Sequence, residues 1–196
     1  YPISLSRGAF WLARTYETLG RENEANKWYR ESSKYLNTYY GQLAFMKINP
    51  NENFILDEQM KIDEKYKKKF YENKLIKIIY LLDELDKDKY TKYFLRHLAT
   101  QDIENGSEVL AAELATNISR YDFAIQIAKL ASYEKRFHNT FNYPIISTPN
   151  LVNGRKIPEQ SFILSIIRQE SEFDIKAHSS AGARGLMQLM TYTAKL

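Results

Sequence analysis

The chain has 196 residues, with seven glycines, five prolines and no cysteine. Average usage is about 7% Gly and 5% Pro, roughly twice this content of turn formers, so a β-sandwich or barrel fits poorly. The absence of cysteine excludes disulfide scaffolds, zinc fingers and thiol catalysis. The net charge of +4 is mild and permits an anionic partner, although surplus lysine is more often a solvated surface. No apolar run is long enough for a membrane span.

Apolar residues recur at helical spacing along most of the chain, and short polar turns separate the segments. This pattern predicts an all-α fold built as a superhelix of antiparallel helical hairpins. Gly20 is expected to end the first helix and residues 49–53 to form a loop. The predicted helices cover residues 10–19, 25–36, 39–46, 60–70, 75–85, 90–98, 109–116 and 123–131.

The first two helices resemble a tetratricopeptide-like hairpin. Small side chains at Ala13 and Ala25 would let the two helices approach closely. Tyr16 and Tyr29 would fill the space between them. This hairpin is the best argument for a second class of function, a non-catalytic scaffold that binds protein partners.

Seven lysines lie between Lys61 and Lys77, and acidic residues interleave with them. A balanced run of this kind indicates a solvated helix face rather than a nucleic-acid site. The 15 tyrosines and 10 phenylalanines are expected to pack between helices. The sequence therefore predicts no nucleic-acid partner.

The composition changes near residue 140, where prolines, asparagines and a glycine cluster. Pro144, Pro149, Asn150, Asn153 and Gly154 belong to this turn-rich linker. We expect a domain boundary here, with a superhelical scaffold and linker domain over residues 1–140 and a second domain over residues 141–196.

A helix is predicted to open at Pro158, since proline favours the first helical position. Its apolar residues share a face that, at about 100° per residue, is centred close to Glu170. Glu170 is therefore expected to be buried, which raises a carboxyl pKa and suits a general acid. A buried glutamate that only bonds to the backbone or a cap remains the alternative. The apolar residues are Phe162, Ile163, Leu164, Ile166, Ile167 and Phe173.

Two further acidic residues follow Glu170. Glu172 is expected to point away from the apolar face and to pair with Arg168 at the surface. Asp174 is expected to act as a local cap. Neither offers a convincing second carboxylate beside Glu170.

Small residues from Ser179 to Gly185 form a turn in which Gly182 and Gly185 permit positive φ or close approach. Residues 186–190 are expected to start another helix, with Gln188 as a polar residue among apolar neighbours. The turn lacks the Lys-Ser/Thr ending of a phosphate-binding loop, so a nucleotide site is not expected.

These residues resemble the catalytic core of the soluble lytic transglycosylases, which have a goose-type lysozyme-like domain after an α-superhelical domain. The strong resemblance covers residues 158–195. Upstream, Trp28-Tyr29, residues 39–44 and Tyr143-Pro144 resemble the preceding superhelix and the entry to the catalytic domain. The motif residues are Gln169-Glu170-Ser171, Ser179 and Gly182-Ala183-Arg184-Gly185-Leu186-Met187-Gln188-Leu189-Met190.

The resemblance implies cleavage of the MurNAc–GlcNAc β-1,4 bond of peptidoglycan with 1,6-anhydromuramoyl ends, a carbon–oxygen lyase reaction. Glu170 would be the single general acid and base, and the substrate's own N-acetyl group would replace a second carboxylate. Ser179, Gln188, Met187 and Met190 would bind substrate. Ser171, Gly182 and Gly185 would support the site. Neither a metal nor a cofactor is implied.

The resemblance further implies a periplasmic bacterial protein that acts on glycan strands in cell-wall turnover, with other cell-wall enzymes as possible protein partners. Thr191 departs from the family, which usually has proline there. We interpret the sequence as a truncated fragment that lacks later cleft residues and expect it to be inactive alone. A hydrolase of the same lysozyme-like fold, which would leave reducing ends, stays open as an alternative.

Overall fold

The computed structural model describes residues 1–56, 60–149, 151–152 and 154–195. The linker residues Asn150 and Asn153 lie outside the described residues. Within them, the secondary structure is mainly helical, with one antiparallel hairpin, β1 (Leu151–Val152) with β2 (Arg155–Lys156), and isolated antiparallel bridges at Arg184. The predicted all-α fold is confirmed. The helices are α1 (Pro2–Thr18), α2 (Glu22–Ser33), α3 (Tyr39–Ile48), α4 (Glu64–Tyr71), α5 (Lys74–Glu84), α6 (Asp88–Ala99), α7 (Ser107–Asn117), α8 (Tyr121–Tyr133), α9 (Asn139–Asn142) and α10 (Gln160–Glu170).

Most helix boundaries lie within three residues of the predicted segments, with clear differences at α1, which begins at Pro2 rather than at residue 10, and at α4. The predicted helix over residues 60–70 begins only at Glu64. Asp63 is the N-cap, and its carboxylate accepts a hydrogen bond of 3.0 Å from the backbone N–H of Tyr66. This cap starts the helix four residues late, because it satisfies a backbone donor that the first turn leaves without a partner.

The chain divides into two compact units, and the first contains Tyr1–Gln59 and Leu130–Asn139. The predicted close approach of α1 and α2 is confirmed, since Ala13 is fully buried and Ala25 nearly so. Tyr29 is also buried, and its hydroxyl donates to Glu17 Oε2 over 2.8 Å. Tyr16 packs at the edge of the same cluster.

Buried hydroxyl groups join α1 to the turn between α2 and α3. Thr38 Oγ1 lies 2.8 Å from Ser6 Oγ, and Ser32 Oγ donates to the Ser6 carbonyl over 2.9 Å. Thr38 also caps α3 by accepting from the Gly41 N–H. Gly41 therefore lies against the backbone of Tyr35, and a Cβ there would overlap the Tyr35 carbonyl oxygen.

The second unit contains Met60–Lys129 and Thr140–Leu196. Helices α4 to α8 enclose its main apolar core, in which Leu95, Leu110 and Leu114 are fully buried. A smaller cluster joins Ile125 of α8 to Ile167 of α10 and to Phe173. The division into domains at residue 140 stays a prediction. None of the described helices combines the length and apolar character that crossing a bilayer requires.

The hydroxyl of Tyr71 is buried beside the core of the second unit and bonds to none of the described residues. Burial raises the pKa of Tyr71 to about 12, from the ordinary value of 10.0. The folded state therefore holds this proton more tightly than the unfolded chain does. Its contribution to stability is complete below pH 10 and is lost as the pH rises towards 12.

Tyr71→Phe is expected to weaken the alkaline loss of stability between pH 10 and 12. Near neutral pH the change should leave the free energy of unfolding equal or higher by about 1 kcal/mol, since the hydroxyl is buried without a partner. Urea unfolding across this pH range measures both effects. Tyr93→Phe, at a side chain that is 68% exposed, is the control. Equal alkaline slopes for Tyr71→Phe and wild type would contradict the assignment.

Candidate functional site

Helix α10 ends at the predicted acid. It begins at Gln160 with Glu159 as N-cap, so the predicted start at Pro158 is wrong by two residues. Ser171 follows as the C-cap, and then Glu172 and Phe173 both have positive φ, 51° and 65°. Two consecutive left-handed residues reverse the chain, because they cannot continue a right-handed helix.

Glu170 is exposed, so its predicted burial is wrong. Phe162 belongs to the predicted apolar face, but its side chain is 58% exposed. The residues of α10 that pack in the apolar cluster are Ile163, Leu164 and Ile167. At about 100° per residue their shared face is centred near Ile167 rather than Glu170. The Glu170 carboxylate makes no hydrogen bond or ion pair with a described residue.

Ser171 ties the end of α10 to the following loop. Its hydroxyl lies 2.8 Å from the Leu186 carbonyl and 3.2 Å from the Ile167 carbonyl. The Ile167 carbonyl also accepts the Ser171 N–H. The loop therefore lies directly beside the helix end that carries Glu170.

The predicted ion pair between Glu172 and Arg168 is present, with Oε1 and Nη1 3.4 Å apart. The same carboxylate oxygen lies 2.7 Å from Lys129 Nζ of α8. Asp174 caps a local turn as expected, because its Oδ1 accepts the backbone N–H of Lys176 over 2.8 Å. These acidic groups hold the backbone after Glu170.

The loop from Ser179 to Gly185 is closed by its own hydrogen bonds. The Ser179 Oγ accepts the Ala183 N–H over 3.0 Å, and the Ser179 N–H donates to the Ala183 carbonyl over the same distance. Gly182 and Gly185 both have positive φ, 92° and 71°. The Ser179 hydroxyl donates to none of the described residues, so its proton is available to another acceptor.

The predicted helix over residues 186–190 is wrong. Arg184 and Leu189 exchange backbone hydrogen bonds of 3.1 and 3.2 Å, which closes a tight turn instead. Gln188 has a φ of 46°, a left-handed value that interrupts a helix. This pairing depends on the preceding turn, and hydrophobic spacing alone does not reveal it.

The predicted substrate-binding residues in this turn have different surroundings. The Gln188 side-chain N–H groups donate to the carbonyls of Ala177 and Gly185, over 3.1 and 2.8 Å. Met187 packs on the cluster around Ile167. Met190 is half-buried. Gln188 therefore shapes the loop through its amide nitrogen and leaves its oxygen without a described donor.

A cavity of about 440 Å³ lies along α10, bordered by Tyr143, Pro144 and Ile145. Ser161, Leu164, Ser165 and Arg168 line it from the helix. Glu170 is absent from this lining, so the cavity lies on another face of α10. In the part of the chain that the structure describes, no three His, Asp or Glu side chains are grouped to hold a metal ion.

Residues 153–196 match the family model described as the transglycosylase SLT domain. No curated protein sequence matches the chain. Solved structures do match. The 70-kDa soluble lytic transglycosylase Slt70 from Escherichia coli has a TM-score of 0.71 at 23% identity, over 97% of this chain and 30% of its own. The complex of the 70-kDa soluble lytic transglycosylase with bulgecin A gives a TM-score of 0.70, 22% identity and the same two coverages.

An inactive mutant of lytic transglycosylase Slt from Pseudomonas aeruginosa has a TM-score of 0.72 at 25% identity, over 97% of this chain and 31% of its own. The chain thus spans about a third of each of these structures. The fold of nearly the whole chain, together with the sequence of residues 153–196, confirms the resemblance to the soluble lytic transglycosylases.

Proposed function

We propose that the full-length protein is a peptidoglycan lytic transglycosylase. It cleaves the β-1,4 bond between MurNAc and GlcNAc and leaves 1,6-anhydromuramoyl ends. The SLT-domain match and the similarity to solved lytic transglycosylases support this proposal. We place the superhelical domain in residues 1–140 and the first part of the catalytic domain in residues 141–196.

One observation carries the mechanism, the free carboxylate of Glu170 at the end of α10. An acid that protonates a substrate must come within hydrogen-bond reach of it, and a nearby cation disfavours the protonated form that donates. Its neighbour Glu172 is less suited to this role, since Lys129 and Arg168 both contact its carboxylate. The Glu170 carboxylate is exposed and no described cation contacts it, and the loop that Ser171 contacts at Leu186 lies beside it.

The reaction needs a single carboxyl group. Protonated Glu170 gives its proton to the glycosidic oxygen as the bond from that oxygen to C1 of MurNAc breaks. The substrate's N-acetyl group assists at C1. The Glu170 carboxylate then takes the proton of the muramoyl 6-hydroxyl, whose oxygen bonds to C1. No water is consumed, and Glu170 returns to its starting state.

Residues 179–190, which follow the end of α10, form one wall of the glycan site. We propose that the Ser179 hydroxyl, the Gln188 side-chain oxygen and the two methionines Met187 and Met190 contact the glycan. Gly182 and Gly185 support the loop because both have positive φ, a backbone conformation that residues with a Cβ rarely adopt. The protein acts in the periplasm on glycan strands, with other cell-wall enzymes as partners.

Digestion of purified sacculi by the full-length protein tests the reaction. A lytic transglycosylase gives muropeptides one water lighter than the hydrolysis products, without heavy oxygen when the digestion is run in ¹⁸O-labelled water. Reducing-end products that carry the label would instead establish a lysozyme-type hydrolase. No release of muropeptides, together with capture of a protein ligand, would favour the scaffold.

A further inference from the structure

Lys176 connects the loop after α10 to the turn between α5 and α6. Its Nζ lies 2.7 Å from Asp86 Oδ1 and 3.2 and 3.3 Å from the two oxygens of Asp88. The partners are some ninety positions away in the sequence, and all three residues belong to the second unit. Hydrogen bonds to these two carboxylates raise the pKa of Lys176, Asp86 contributing most, so the ammonium stays charged.

Asp88 is shared with a buried arginine. Arg120 Nη1 donates to Asp88 Oδ1 over 2.7 Å, while its Nε and Nη2 bond to both oxygens of Asp122, over 3.0 and 2.9 Å. The Arg120 guanidinium also lies 3.7 Å from the ring centre of Phe123. Only 9% of the Arg120 side chain is exposed. Arg120 therefore holds the Asp88 carboxylate independently of Lys176.

The two cations change the acidity of Asp88. Burial acts to raise the pKa of Asp88, but hydrogen bonds from Arg120 and Lys176 outweigh it and hold the pKa below its ordinary value. An isolated exposed ion pair contributes little, since both side chains must be ordered in water. Here Arg120 already orders the Asp88 carboxylate, so this ion pair requires ordering of the Lys176 side chain alone.

Lys176 directly precedes the loop over residues 177–190, which contains the predicted substrate-binding residues. The carbonyl of the next residue, Ala177, accepts both the Gln188 side-chain N–H and the Gly185 backbone N–H. Ser179 follows two residues later. Among the described residues, Lys176 makes the polar contacts of residues 175–195 with Asp86, in the turn between α5 and α6, and with Asp88 of α6.

We propose that Lys176 is a positioning residue for the candidate active site. Its ion pairs with Asp86 and Asp88 hold the base of the loop over residues 177–190 against the turn between α5 and α6 and the first residue of α6. This contact fixes the wall that carries Ser179 and Gln188 beside Glu170. The effect on the loop follows from the contacts alone, whereas the effect on glycan binding rests on the proposed function.

Amide hydrogen exchange in the full-length protein tests the effect on the loop. In Lys176→Met, exchange at Ala183, Gly185 and Leu189 is expected to be about three- to five-fold faster. Exchange in α7 and the midpoint of thermal unfolding should stay at their wild-type values. Lys176→Arg should restore slow exchange, since it keeps the positive charge.

Salt and a second lysine provide the controls. Raising the salt concentration from 0.05 to 1 M should speed loop exchange in wild type but not in Lys176→Met, because salt screens the ion pairs. Lys89 is exposed and has no described ion-pair partner, although it is next to Asp88 in the sequence. Lys89→Met should therefore behave as wild type. Unchanged loop exchange in Lys176→Met, or faster exchange throughout α5 to α8, would overturn the proposal.

Kinetics on soluble glycan strands test the effect on the site. Lys176→Met should raise KM several-fold and change kcat by less than about two-fold, since the loop binds substrate and Glu170 performs the proton transfers. An unchanged KM in an active enzyme, despite faster loop exchange, would overturn the role in substrate binding. An inactive wild-type protein would instead refute the proposed function, and the exchange measurements would still decide whether Lys176 holds the loop.

Discussion

Glu170→Gln in the full-length protein is expected to lower the release of anhydro-ended muropeptides about a thousand-fold or more. Glutamine keeps the shape of the side chain but can neither protonate the glycosidic oxygen nor take the proton of the 6-hydroxyl. The carboxylate is exposed and has no described partner, so the midpoint of thermal unfolding should shift by less than about 2 °C. Mass spectrometry of digested sacculi and a thermal scan measure the two effects.

Glu159→Gln is the matched control for this change. Glu159 is also exposed and lies at the opposite end of the same helix, where it is the N-cap. Its side chain makes no capping hydrogen bond, so the amide should be tolerated with full activity. Wild-type rates in Glu170→Gln would contradict the single-carboxyl mechanism. Lost activity together with a large fall in the unfolding midpoint would indicate damage to the fold instead.

Gly41→Ala is expected to destabilise the first unit by about 3 kcal/mol or more. A Cβ at this position would overlap the carbonyl oxygen of Tyr35 and lie 2.6 Å from its carbonyl carbon. The backbone cannot give way easily, because Thr38 both caps α3 at Gly41 and bonds to buried Ser6. Urea unfolding measures the loss.

Gly8→Ala gives the matched comparison within α1. Gly8 lies in the interior of that helix, and nothing would come within 4 Å of an added Cβ. Alanine should therefore stabilise the helix by about 1 kcal/mol, the ordinary gain over glycine. If both substitutions stabilised the protein, the close contact at Gly41 would not exist.

Local patterns in the sequence predicted the helical body well. The close approach of α1 and α2 at Ala13 and Ala25 is predictable from small residues at helical spacing, because the two helices are adjacent in the sequence. The burial of Glu170 could not be predicted in the same way, because the exposure of Phe162 decides where the packed face lies. The turn over residues 184–189 is likewise not predictable from hydrophobic spacing, because backbone hydrogen bonds between Arg184 and Leu189 close it.

The contacts of Lys176 are not predictable from the sequence, for a different reason. Its partners Asp86 and Asp88 are distant in sequence, and no spacing rule relates one exposed lysine to two of many acidic residues. Only Arg120 offered a signal, as an arginine followed two residues later by Asp122, and this pattern is too common to identify a buried pair. The chemistry-bearing motif was visible in the sequence, but the groups that hold it in place were not.

The reversal at Glu172 and Phe173 determines how far the motif can be separated from its surroundings. Left-handed backbone costs roughly 1–2 kcal/mol at each non-glycine residue. Two contacts with helix α8 offset this cost. Phe173 is buried beside Ile125, and the Glu172 carboxylate contacts Lys129. A short peptide that carried only Glu170 and its loop would lack both contacts and would relax to other turns. The segment that carries Glu170 and its loop therefore does not hold its conformation alone. Grafting it into another protein would also require the α8 residues that contact Phe173 and Glu172.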